Sequence, residues 1–177
     1  MRILMIIVCL SGLGACSCQR QTAQTPASAM AASGDSGASA AIAADAAAVL
    51  ARAARLDQER GRAVADAVDT LHGYLREVGS GQRDAAEKRW AYQRSPSVGE
   101  EAGLRSMTNL QALRIENGAP KPLDDEPVPV YLEIPVDLRA TLADGQAHRY
   151  KGWYRLRRNP VTTRWELTAA SVSPVLR

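Results

Sequence analysis

From Val130 to Leu142 apolar and polar residues alternate without a break: Val130, Leu132, Ile134, Val136, Leu138, Ala140 and Leu142 interleave with Tyr131, Glu133, Pro135, Asp137, Arg139 and Thr141. Successive side chains of a strand point to opposite faces, so this run predicts a long strand with one wet and one buried face. A sheet that is apolar on one side has to place that side against a second layer. Pro135 has no N–H to donate and predicts an edge strand or a bulge at that point.

The next run, 146 to 158, fixes the register. A two-residue loop at Asp144-Gly145 would put Arg149, Lys151 and Arg155 on the apolar face, which buries charge at prohibitive cost. A three-residue loop of Ala143, Asp144 and Gly145, with glycine in the left-handed position, sets Leu138 opposite Tyr150, Ile134 opposite Tyr154 and Leu132 opposite Leu156. Glu133 then meets Arg155 and Asp137 meets Lys151, two ion pairs from a register chosen on hydrophobic grounds. Asn159-Pro160 turns the chain into a further strand near 163 to 173, and pairing Leu156 with Trp165 would set Arg155 beside Glu166. A weaker strand, 108 to 117, comes before Asn117-Gly118.

The second layer is helical. Val64, Ala67, Val68, Leu71, Tyr74, Leu75 and Val78 recur at three and four residues, with Gly79 at the C-cap, which predicts a helix over 46 to 78. Ser80 is placed to cap a second helix over 82 to 94 containing Trp90. Ser97-Val98-Gly99-Glu100 has the spacing of a capping box for a short third one. The expectation is an α+β domain over 45–177, with a long helix and one or two short ones packed on a curved antiparallel sheet of about four strands.

The N-terminus is of another kind. Arg2, the apolar run Ile3 to Leu13 and small residues before a cysteine have the form of a secretory signal. Leu13-Gly14-Ala15-Cys16 resembles the lipobox of bacterial lipoproteins. That resemblance implies removal of residues 1–15 and a diacylglycerol with an N-acyl chain on Cys16. It implies a lipid-anchored protein of the cell envelope, most simply at the outer membrane facing the periplasm, with membrane lipid and an envelope protein as partners. Two or three acyl chains make a stable anchor where one does not. Residues 16–44, rich in Ala, Ser and Gly, read as a flexible tether, with Cys18 a free thiol within it.

All three cysteines precede residue 19 and only His72 and His148 are available, so no disulfide framework, metal site or other cofactor is expected of the domain. Basic residues outnumber acidic ones by 22 to 19, too small an excess for a nucleic-acid binder. Within it Arg149, Arg157, Arg158 and Arg164 remain without ion-pair partners and form with Trp153 a candidate contact patch for an acidic partner or lipid headgroups. His72, Tyr150, Tyr154 and Trp165 are candidates to line a pocket between helix and sheet. Asp69 and His72 share a helix face as an exposed pair, His148 reads as a half-buried sheet residue, and Asp124-Asp125-Glu126 as a solubilising turn.

The order of a long first helix and meandering C-terminal strands is similar to the NTF2-like or cystatin-like group of folds. Enzymes of that group carry polar catalytic residues in a cone between helix and sheet. No matching set is legible here, so no catalytic residue is assigned. The expectation is a non-catalytic binding or scaffold module, with a small-ligand binder or enzyme using the helix-sheet pocket as the alternative.

Overall fold

A computed structural model of the protein describes residues 36–176 except 98 and 102. The α+β expectation holds: one long helix and a curved, open antiparallel sheet of five strands, the layout that the resemblance to the NTF2-like or cystatin-like group implies. The elements are α1 (Ser36–Gly79), α2 (Arg83–Glu87), β1 (Leu110–Asn117), β2 (Lys121–Pro122), β3 (Tyr131–Leu142), β4 (Ala147–Arg158) and β5 (Trp165–Pro174). The sheet runs β1-β3-β4-β5, with β2 also pairing β3. Signal peptide, lipobox, Cys16 and Cys18 lie outside the described residues.

The β3–β4 register is the one that the charges and apolar residues favour, with Leu138 opposite Tyr150, Ile134 opposite Tyr154, Glu133 opposite Arg155 and Asp137 opposite Lys151. Gly145 takes φ +84, and its N–H reaches the Leu142 carbonyl at 3.0 Å. The inner face of the sheet packs Leu132, Ile134, Leu138, Tyr154, Leu156, Leu167 and Val172 against Leu71, Tyr74 and Leu75 of α1, all fully buried.

Pro135 sits in an interior strand, and its consequence falls on the neighbour. Its carbonyl accepts the Gly118 N–H at 2.9 Å on the side away from β4. The ladder on that side breaks there: β1 ends at Asn117 opposite Val136, and β2 resumes at Lys121 opposite Glu133.

Five expectations are corrected. β5 pairs two residues further along than expected, with Leu156 opposite Leu167 and Arg157 opposite Glu166. A two-residue slip keeps every side chain on its face, so hydrophobic pattern cannot see it. The turn decides: Asn159 Oδ1 accepts the N–H groups of Val161 and Thr162 at 2.9 and 3.0 Å, and Thr163 adopts φ 59. The second helix stops at Glu87 because Trp90 leaves it to bridge Leu167, whose N–H donates to the Arg89 carbonyl at 2.9 Å. Ser80 caps nothing, since its hydroxyl bonds back to the Arg76 carbonyl. The third helix is absent among the described residues: Ser97 N–H makes half of the capping box with Glu100 at 2.7 Å, but Glu101 is drawn into a bridge with Val172. Finally, α1 is already formed at Ser36, the first described residue, so residues 36–44 are helical where a tether was expected. Alanine, the strongest helix former, fills much of that stretch.

Candidate functional site

The chain buries one charged-type side chain, Glu101, at 3% exposure among the described residues. It reaches the core because the turn after Arg94 is pinned from two sides. Arg94 forks onto the Glu100 carboxylate at 2.8 and 2.9 Å, and the Val172 N–H donates to the Glu100 carbonyl at 2.8 Å. With Glu100 held outward, its neighbour is turned in.

There two phenols receive it. Tyr74 of α1 donates its hydroxyl to both Glu101 oxygens at 2.8 Å, and Tyr154 of β4 donates to Oε1 at 2.5 Å. The tyrosine rings meet edge to face at 5.8 Å, and Trp90 stands edge-on to Tyr74 at the same distance. Arg105 is the nearest cation, its Nε 3.9 Å from Glu101 Oε2, while its Nη2 bonds Glu87 at 2.9 Å.

Burial pushes the Glu101 carboxyl above the ordinary carboxylate range, against the pull of Tyr154, Tyr74 and Arg105. Burial, and then the adjacent Glu101 charge, push both phenols up as well, so they remain protonated donors. Glu100 is the mirror case, lowered to about 2 by the Arg94 hydrogen bond. Glu101 forms part of the wall of a cleft of about 340 Å³ shared with Arg83, Glu87, Ser97, Arg105 and Ser106. The arrangement is a desolvated proton acceptor, fixed by two donors, beside a cationic side chain and an opening.

The residues expected to line a pocket do not come together. Tyr154 belongs to the Glu101 cluster, but Tyr150 is buried in the core and Trp165 faces another groove. His72 bonds Asn117 Oδ1 through Nε2 at 2.9 Å. The space between helix and sheet is filled by Leu71, Tyr74, Leu75 and their partners, and the opening lies at its margin.

The arginine patch does not assemble either. Arg149 pairs with Asp137 at 2.8 Å and Arg157 with Glu166 at 3.2 Å. The two arginines stand roughly 27 Å apart along β4 at the usual rise per residue. Arg158 Nε donates to the Thr163 carbonyl, and Trp153 is covered by the Arg155 guanidinium at 4.4 Å. Arg164 and Trp165 border a polar groove of about 700 Å³ whose Arg89 forks onto Glu77 at 2.7 Å. His148 is exposed rather than half-buried, lying opposite Ala140 at the end of the strand pair. Asp124 does more than solubilise: its carboxylate accepts the N–H groups of Glu126, Val130 and Tyr131 and so sets the entry to β3.

Sequence reading missed Glu101, Tyr74 and Arg105 as a set. Tyr74 is legible only as a core residue, and its 27-residue separation from Glu101, like the 53 residues to Tyr154, leaves no local signal.

No protein-family model and no curated protein matches the chain. Among solved structures it is similar to a Δ5-3-ketosteroid isomerase from Mycobacterium sp., at 15% identity and TM-score 0.40, covering 62% of this chain and 98% of that one. It is also similar to a Novosphingobium aromaticivorans protein described as an aromatic ring hydroxylase, at 16% identity and TM-score 0.40, covering 62% and 92%. A third is a Mycobacterium tuberculosis protein crystallised with estradiol-17beta-hemisuccinate, at 10% identity and TM-score 0.38, covering 63% and 94%. Likeness at this level speaks to neither substrate nor catalytic residues. The expectation of a non-catalytic domain is nevertheless corrected. It rested on finding no residues of catalytic type between helix and sheet, and Glu101, Tyr74, Tyr154 and Arg105 are such a group.

Proposed function

We propose that the domain binds a small molecule in the Glu101 cleft and moves a proton on it, as an isomerase-type enzyme does. The observation that carries this reading is a carboxyl buried to 3% exposure that borders an opening while two phenols hold it. Desolvation makes the carboxylate a stronger base than it is in water. A ligand with an acidic C–H, seated in the cleft, would give its proton to Glu101 and take it back at a neighbouring atom. The phenols fix the carboxyl's orientation, and Arg105 supplies positive charge for the anion formed in between.

Proton abstraction is tested without knowing the natural ligand. Small carbonyl compounds are screened by amide chemical shifts at Gly103, Arg105 and Ser106, and those that bind are followed for hydrogen–deuterium exchange next to the carbonyl. Wild type should catalyse exchange and Glu101→Gln should not. Exchange equal in the two, or no compound shifting the cleft amides, would sink the reading.

We further propose that the domain works from a membrane surface, tethered through Cys16. What supports this is the leader itself: Arg2, the apolar run and Leu13-Gly14-Ala15 before the cysteine. Fatty-acid labelling of cells should mark wild type and leave Cys16→Ala unmarked; unlabelled wild type would remove the anchor.

A further inference from the structure

The core-facing stripe of α1 does not end where the domain ends. Ala63 is the first fully buried residue of the helix, and residues 41–62 are exposed apart from the half-buried Leu56. Yet Ile42, Ala46, Val49, Ala53 and Leu56 continue at steps of three and four residues along the side that carries Ala63, Ala67 and Leu71 into the core. Ile42 stands 70% exposed, Val49 68% and Leu50 71%. A helix that projects without tertiary contact is marginal in water, so this stripe calls for a partner surface.

We propose that it pairs, antiparallel, with the same stretch of a second copy of this chain. Three observations select that occupant. The spacing is heptad, with Ile42, Val49 and Leu56 in one row and Ala46 and Ala53 in the next, and small residues in one row allow close helix approach. The row is symmetric about Val49, with Ile42 and Leu56 seven residues to either side. A two-fold axis there sets Ile42 against Leu56 of the second copy and Val49 against its Val49, with Ala46 one residue off level from its Ala53. The two stripes then overlap from Ile42 to Leu56, roughly 21 Å at 1.5 Å per residue.

Charge gives the third observation. Asp45 and Arg52 are seven residues apart and lie on one flank of the stripe. A two-fold axis at Val49 brings that flank against itself with direction reversed, so each Asp45 approaches the other copy's Arg52. Parallel pairing would instead turn that flank towards the opposite one, which carries Leu50 and Asp57, and keep Asp45 and Arg52 of the two copies apart.

The test is a charge-swap cycle on the full chain by sedimentation velocity over roughly 1 to 100 µM, the range in which a modest interface associates. Wild type should dimerise. Asp45→Arg and Arg52→Asp should each weaken the dimer by at least about tenfold, and the double variant should recover it to within about threefold. Val49→Asp, which places two carboxylates on the axis, should be monomeric throughout. All these positions are exposed, and circular dichroism checks that the domain remains folded. A wild type that stays monomeric hands the stripe to a different partner and overturns the proposal. So does a dimer indifferent to the single swaps, or one that the double swap fails to restore.

Discussion

Glu100 and Glu101 are adjacent in sequence and have opposite environments, which gives a prediction with a sign. Arg94 and the Ser97 N–H hold Glu100 at about 2 against an ordinary 4.5. At ~1.36 kcal/mol per unit of pKa that difference bounds its contribution near 3 kcal/mol. The pair is partly wet, with side chains 35% and 20% exposed, and solvent screening brings the figure to about 1–2 kcal/mol. A lowered carboxyl stabilises the fold above its unfolded value, and that stability is lost as pH falls from about 4.5 towards 2. Glu101 is raised by burial, so its contribution is complete below about 4.5 and is lost as pH rises through its higher folded value.

Urea unfolding of wild type, Glu100→Gln and Glu101→Gln, followed by tryptophan fluorescence from about pH 3 to 8, separates the two. The Glu100→Gln deficit should be largest near neutrality and shrink in acid. The Glu101→Gln deficit should be largest in acid and shrink, or turn into a gain, as pH rises. Equal slopes in the two variants, or a flat Glu101→Gln difference, would refute the assignment of opposite environments.

Three further outcomes follow from packing and charge. Tyr154→Phe removes the 2.5 Å donor to Glu101 and should cost about 1.5–3 kcal/mol, more at pH 8 than at pH 4 because the ionised carboxyl loses most; a pH-independent cost would count against it. Gly152→Ala would set a Cβ on the Ser171 carbonyl and 2.7 Å from Val172 Cα. Since backbone cannot give, the loss should reach about 3 kcal/mol, a fall on the order of 10 °C in Tm, and one under about 2 °C would show that β4 and β5 are looser than described. Arg114, Arg139 and Arg149 stand directly opposite one another across three strands, and Asp137 and Glu116 pair only the outer two. Arg139→Gln should therefore raise stability by about 0.2–1 kcal/mol at low salt, and the gain should fade as salt screens the row.

How far the sequence reaches is set by what period each feature has. The β3–β4 register was readable because a one-residue error would have buried Arg149, Lys151 and Arg155. The β4–β5 register was not, because the two-residue slip that separates Leu156–Trp165 from Leu156–Leu167 leaves every face unchanged. The lower part of α1 was readable from its apolar row, whereas residues 36–44 lie in an alanine-rich stretch with no such contrast. Between Glu87 and Met107 nothing is periodic. That segment is shaped by single contacts to β5, and it carries Glu101 into a cluster with Tyr74 and Tyr154. A residue whose meaning depends on three distant elements has no local signature. Tyr92, with φ 60 and 85% exposure beneath the Arg157 guanidinium, is another such product of that segment.

The break opposite Pro135 also bears on what this protein can aggregate with. An open sheet has two margins, each a row of unpaired amides able to recruit a strand from another chain. One margin is cut in two by the gap between Asn117 and Lys121, and its second piece lies between Pro120 and Pro122, which have no N–H to offer. On the other, β5 is bulged at Thr168, and Trp90 and Glu101 lie against its outer side at Leu167 and Val172. Neither margin presents a long straight template. A twelve-residue β3 as apolar as this one can therefore be carried at the centre of the sheet without making its borders adhesive.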